Sequence, residues 1–65
     1  MILKDILALI TIDTIVWIKD KEDSTCFIGE CGHCNENEMA KNRFNSKVVC
    51  ISGAQRTETL IIIIE

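Results

Sequence analysis

Hydrophobic and polar positions follow two different periods along this chain. Between residues 3 and 10 the apolar side chains recur three or four positions apart, which is the spacing of one helix face. Segments 14–20 and 25–30 are instead rich in β-branched and aromatic residues, which favours strands, and the residues between them are polar. We therefore expect a helix over 3–10, followed by two strands that pair in an antiparallel manner through a polar turn.

The second half of the chain predicts one more helix and two more strands. Segment 35–44 is a short polar helix in this interpretation, with Asn35 as its N-cap and Glu38 three residues further on. Its inner side would consist of Met39, Ala40 and Phe44. Segments 47–52 and 57–65 are apolar and β-branched, and the turn between them indicates a hairpin.

These elements predict one small domain that spans residues 1–65. Its fold class is α+β, with an N-terminal helix packed on a small, mostly antiparallel four-stranded sheet in the order α-β-β-α-β-β. With 65 residues, only about 60% of the surface of the unfolded chain can be buried on folding. Chains of this size usually gain further stability from disulfides, a metal ion or a partner subunit.

Two of the expected strands are apolar on both sides. In segment 14–20, Ile15 and Trp17 face one way while Val16 and Ile18 face the other, and segment 60–64 contains no polar residue. Strands of this kind need cover on both faces of the sheet, and the sequence offers one strong helix and one short one. Each exposed Ile or Val forfeits roughly 1.5–3 kcal/mol. We therefore expect a homo-oligomer, most simply a symmetric dimer; the alternative is a twisted barrel that buries both faces within one chain.

Charge and hydropathy exclude several classes of protein. Ten acidic and seven basic residues give a net charge of -3, which argues against general nucleic-acid binding, because that function needs a basic face. The apolar N-terminal stretch is interrupted by Lys4, Asp5 and Asp13, so it is too short for a membrane span, and no small-residue cleavage site of a signal peptide follows it. We expect a cytoplasmic protein with reduced thiols and no membrane contact.

The segment 31–34 reads C-G-H-C, which matches the active-site motif of protein disulfide isomerases. Those enzymes use a thioredoxin-like fold and a proline beside the site, whereas this chain is too short for that fold and contains no proline. No triad, paired carboxylates or phosphate-binding glycine loop accompanies His33, the only histidine. We therefore expect no redox activity and no catalytic residues.

The four cysteines leave two interpretations open. In the first, Cys26 and Cys50 fill volume in the core, and Cys31 and Cys34 flank a turn as free thiols. In the second, a structural zinc ion stabilises an adaptor module through all four cysteines, with His33 as a possible substitute for one of them. The spacing contains only one C-x-x-C pair, so the first interpretation is favoured and no cofactor is expected.

A cluster of basic and amide side chains offers a candidate ligand or partner site. It comprises Lys41, Asn42, Arg43, Asn45, Gln55 and Arg56. Such side chains could contact an anionic partner, and a nucleotide-capturing protein with sites at subunit boundaries is the corresponding alternative function. A domain of this size builds a pocket most readily between subunits.

The order of segments "LKDILALI", "TIVWIKD", "FIGE", "KVVCIS" and "ETLIIIIE" resembles that of short uncharacterised proteins encoded by phages and prophages of Firmicutes and other gut bacteria. The resemblance implies a small accessory protein that binds and blocks a host enzyme or a component of bacterial defence. Together with the double-sided strands, it leads us to expect a non-catalytic binding protein that acts as a homo-oligomer through protein-protein contacts.

Overall fold

The computed structural model describes residues 1–54 and 58–65, without the side chain of residue 54. It contains a four-stranded sheet and short helices, which confirms the α+β class. The helices are α1 (Leu3–Leu7), a 3₁₀ helix (Cys31–Glu36) and α2 (Glu38–Lys41). The strands are β1 (Ile15–Asp20), β2 (Thr25–Glu30), β3 (Val48–Ala54) and β4 (Thr59–Ile64).

The strands lie in the order β2-β1-β4-β3. The antiparallel pairs β1–β2 and β3–β4 confirm the two pairings expected from the sequence. The central pair β1–β4 is parallel, so the sheet is mixed. The two most apolar strands thus occupy the centre, where neighbours on both sides satisfy their backbone groups and shield their side chains.

Each helix of the described residues contributes buried side chains to a core on one face of the sheet, which we call the packed face. On it Phe27, Ile18 and Ile62 form a row across three strands. The buried core adds Leu3, Ile6, Val16, Cys31, Cys34, Ala40 and Ile64. Because each helix contributes at least one side chain to this cluster, none of them is left to cover the opposite face.

Helix α1 is shorter than the expected 3–10 and has no side-chain cap. The backbone N–H groups of Leu3 and Lys4 instead donate to the carbonyls of Ser46 and Phe44, both at 2.9 Å. After Leu7 the backbone hydrogen bonds join residues three positions apart; for example, the N–H of Leu9 donates to the carbonyl of Ile6. This tighter winding ends the α-helix early and fixes its first turn against the segment after α2.

The expected helix 35–44 divides into two shorter helices. Asn35 was wrong as its N-cap, because it lies within the 3₁₀ helix. The cap is Asn37, whose Oδ1 accepts the N–H of Ala40 at 3.0 Å. Met39 was also wrong as an inner residue, since it is 60% exposed while Ala40 is fully buried. The segment between residues 31 and 36 has no apolar period, so no local pattern predicts a 3₁₀ helix there.

Candidate functional site

The face of the sheet opposite the helices carries a continuous apolar surface. Alternation along the strands places there the side chains that do not join the core. We call this surface the open face; its large apolar residues are Ile15, Trp17, Ile28, Ile61 and Ile63. Trp17 lies at its centre, since it pairs with Ile28 on β2 and with Ile61 on β4.

Exposure differs sharply between the two faces of β4. Ile62 and Ile64 on the packed face are fully buried, whereas Ile61 and Ile63 on the open face keep part of their surface in solvent. Ile28 on the edge strand β2 is 59% exposed. A single chain therefore buries only one side of its most apolar strand.

Polar contacts at the centre of the open face leave its apolar character intact. The indole Nε1 of Trp17 donates to Thr25 Oγ1 at 2.9 Å, so its one polar atom is satisfied. The ammonium group of Lys19 lies 4.7 Å from the centre of the Trp17 ring and forms an ion pair with Asp23. The positive charge at this end of the face is thus balanced within the chain.

The edge strand β3 adds only small side chains to this surface. The register shift between Val48 and Cys50 is a bulge, after which Cys50 lies beside Ile63 and Ser52 beside Ile61, both on the open face. Ile51 lies beside Ile62 on the packed side, where it is 44% exposed at the edge of the sheet. The expectation that Cys50 fills core volume was wrong, because an edge strand has a neighbour on one side only.

Cys31 and Cys34 form a second candidate site, on the inner side of the 3₁₀ helix. They are only 6% and 2% exposed, and they lie in a 3₁₀ helix rather than on either side of a turn. Both are free thiols, as expected. A 3₁₀ helix has three residues per turn, so side chains three positions apart project from the same side. The C-x-x-C spacing therefore presents both thiols together to the interior.

Two backbone hydrogen bonds hold this dithiol in place. The N–H of Cys31 donates to the Thr14 carbonyl and the N–H of Gly32 donates to the Ile12 carbonyl, both at 2.8 Å. A Cβ on Gly32 would lie 3.2 Å from the Ile12 carbonyl oxygen and from its Cβ. Glycine at this position therefore allows the 3₁₀ helix to approach the loop before β1.

Burial sets the protonation state of both thiols. It raises the pKa of Cys31, and it raises the pKa of Cys34 to about 11, with a smaller contribution from negative charge on Cys31. The Sγ of Cys31 also donates to the Leu7 carbonyl at 3.6 Å. Both groups are neutral at pH 7, so neither is poised as a nucleophile.

A cavity of about 230 Å³ lies beside the dithiol, between α1 and the 3₁₀ helix. Both cysteines line it, and its apolar walls include Leu7, Ile12 and Phe44. Lys4 and Asn35 stand at its solvent-exposed rim. The cavity connects the two buried thiols with the solvent, and its volume is below that of most pockets for organic ligands.

The described residues do not bring Cys26, Cys31, Cys34 and Cys50 into one site. Cys50 lies on the open-face side of β3, and Cys31 and Cys34 lie on the packed side. The imidazole of His33 is exposed, 3.9 Å from the Glu30 carboxylate. Within residues 1–54 and 58–65, no group of three or more His, Cys, Asp or Glu side chains could hold a metal ion.

The basic and amide cluster lies only partly within the described residues. Lys41, Asn42 and Asn45 are exposed, while Gln55 and Arg56 lie outside the described residues. Arg43 donates from Nη2 to the Glu65 carbonyl at 3.2 Å, and Lys41 forms a 3.6 Å ion pair with Glu38. Arg43 thus links the segment after α2 to the end of β4.

A second cavity, of about 200 Å³, adjoins this cluster and is lined by Cys26, Met39, Asn42 and Arg43. The buried Nε of Arg43 has no hydrogen-bond partner among the described residues. Only one basic side chain lines the cavity, so the described residues offer little charge for a nucleotide phosphate.

No protein-family model, curated protein or solved structure matches the chain. Within the described ranges, no helix combines the length and the apolar character required to cross a membrane.

Proposed function

We propose that this chain is a non-catalytic binding protein that acts as a homodimer joined through its open face. One observation carries the proposal: every helix of the described residues packs on the same side of the sheet, and five large apolar side chains remain on the other. A surface of this kind usually marks an interface. The occupant we infer is a second copy, which supplies an equally apolar and equally shaped face.

The size of the face determines how tight this dimer should be. Four strands about 4.8 Å apart and six residues of about 3.3 Å each give a face of roughly 400 Å². Two such faces bury about 800 Å², which is less than the roughly 1,200–2,000 Å² of stable complexes. The proposed dimer is therefore weak, and its population should depend on concentration.

Symmetry restricts how the two copies can pack. In a two-fold dimer each copy offers the same patch of residues, so the open face of one copy meets the open face of the other. The Lys19–Asp23 ion pair balances the positive charge at one end of the face. We therefore expect apolar contacts rather than charge to hold the copies together.

Sedimentation velocity over a broad concentration range tests the dimer. Wild type should shift from monomer to dimer as concentration rises, and Ile28→Lys should stay monomeric because it places a charge in the interface. Leu9→Lys is the matched control, since Leu9 is 79% exposed and lies beyond α1, away from the sheet. A wild-type monomer at all concentrations, or an equal loss of dimer in both variants, would contradict the proposal.

We further propose that the assembled protein inhibits or modulates a host or defence component, as the resemblance to phage accessory proteins implies. The support here is the pattern of segments in the sequence, together with a surface suited to protein contacts. Co-expression with bacterial defence systems, scored by phage plating efficiency, tests this step. The proposal is supported if the wild-type protein restores phage plating in a defended strain and Ile28→Lys does not. Equal phage plating with and without the protein in every defence system would refute it.

A further inference from the structure

The dithiol of Cys31 and Cys34 has a geometry that neither the dimer nor the target-binding role requires. Its two residues lie three positions apart on the 3₁₀ helix, both are buried, and both line the cavity beside α1. The described residues supply no third thiolate, imidazole or carboxylate beside them. The site therefore has two soft ligands in apolar surroundings.

The number and type of ligands select the class of metal ion. Zinc prefers four ligands in a tetrahedron, which these residues do not offer. Soft thiolates favour Cu(I), a monovalent ion that two sulfur ligands can satisfy in a linear arrangement. We infer that Cys31 and Cys34 form a two-coordinate site for a soft monovalent cation, with Cu(I) as the representative ion.

Charge around the cavity fits such a complex. Two thiolates and one Cu(I) ion carry a net charge of -1, which an apolar cavity does not tolerate alone. Lys4 lines the same cavity, and within the described residues its ammonium group has no ion-pair partner. Its positive charge is available to balance the complex at the rim.

The chemistry of loading is balanced without any further reactant. Two S–H bonds break, two Cu–S bonds form, and both protons pass to the solvent. Copper enters and remains in the +1 state, so no oxidant or reductant takes part. The rim of the cavity gives the ion a route from solvent to the buried sulfur atoms.

The experiment titrates reduced protein, without oxygen, against Cu(I) held by a chromophoric competitor. Wild type should bind one Cu(I) per chain, and X-ray absorption should find two sulfur neighbours. The matched control is the variant Cys26→Ser with Cys50→Ser, which keeps the dithiol and should retain the same stoichiometry and affinity. Cys31→Ala and Cys34→Ala should each lose this binding.

Two further measurements keep the test decisive if an alanine variant does not fold. Circular dichroism without metal reports whether each variant folds. The variant Lys4→Gln leaves the core intact and removes the positive charge that balances the complex, so it should weaken Cu(I) binding by about tenfold. Loss of binding in the Cys26→Ser, Cys50→Ser control, or unchanged binding in a folded Cys34→Ala variant, would overturn the inference. So would a coordination number of three or more sulfur atoms.

Discussion

At the scale of single residues, two glycines on the packed side of the sheet provide a matched test of backbone strain. Gly29 has a φ of +153°, and a Cβ there would lie 3.2 Å from Phe27 Cζ. Gly53 has an ordinary φ and no atom within 4 Å of such a Cβ. Gly29→Ala should therefore lower the free energy of unfolding by about 1–3 kcal/mol.

Gly53→Ala should instead leave the free energy of unfolding unchanged or raise it by about 0.4–1 kcal/mol, because alanine restricts the unfolded chain. Urea unfolding of both variants, at a concentration where wild type is monomeric, measures the difference. Equal losses in the two variants would contradict the role assigned to the φ of Gly29.

The buried thiol of Cys34 predicts how stability depends on pH. Its pKa rises from the usual 9.0 to about 11 in the folded chain, so the folded state holds this proton more tightly than the unfolded state. Its contribution to the free energy of unfolding is therefore complete below pH 9 and is lost as the pH rises toward 11. Metal-free protein, unfolded in urea at a series of pH values, should show this fall.

Cys34→Ala should make the alkaline fall shallower, although the substitution also lowers stability at neutral pH. Cys50→Ala is the control, because its thiol lies in solvent on β3, and it should keep the full slope. A fall of equal steepness in Cys34→Ala and wild type would show that other groups cause it.

At the scale of elements, the cap of α2 can be tested with a pair of asparagines. Asn37 accepts a hydrogen bond from the N–H of Ala40, whereas Asn35 makes no side-chain hydrogen bond in the described residues. Asn37→Ala should lower the free energy of unfolding by about 1 kcal/mol, and Asn35→Ala should have little effect. The reverse order in urea unfolding would restore Asn35 as the cap.

The strands could be predicted from the sequence because β-branched runs bounded by polar turns are a local signal. The parallel contact of β1 with β4 could not be predicted, because its paired residues lie 44 positions apart and the pairing is decided by packing over the whole sheet. The cysteines show the same limit. Cys50 was expected in the core and Cys31 beside a turn, since local sequence reveals neither an edge strand nor the inner side of a 3₁₀ helix.

At the scale of the whole molecule, the open face follows from the size of the chain. Three short helices cover one side of a four-stranded sheet, and the described residues leave no fourth element for the other. If a second copy covers that side, association must stabilise the folded state, because the unfolded chain has no such face. Folding and dimerisation should therefore be linked.

Substitutions of two neighbouring isoleucines on β4 separate the stability of the folded monomer from the stability added by dimerisation. Ile62→Ala removes a fully buried side chain and should cost about 2–5 kcal/mol at every protein concentration. Ile63→Ala trims a partly exposed side chain on the open face, so its cost to the monomer should be smaller.

Thermal unfolding at low and high protein concentration is the measurement. The melting temperature of wild type should rise with concentration, Ile62→Ala should keep that rise from a lower starting point, and Ile63→Ala should reduce it. A wild-type melting temperature that does not change with concentration would remove the dimer, and with it the physical basis of the proposed function.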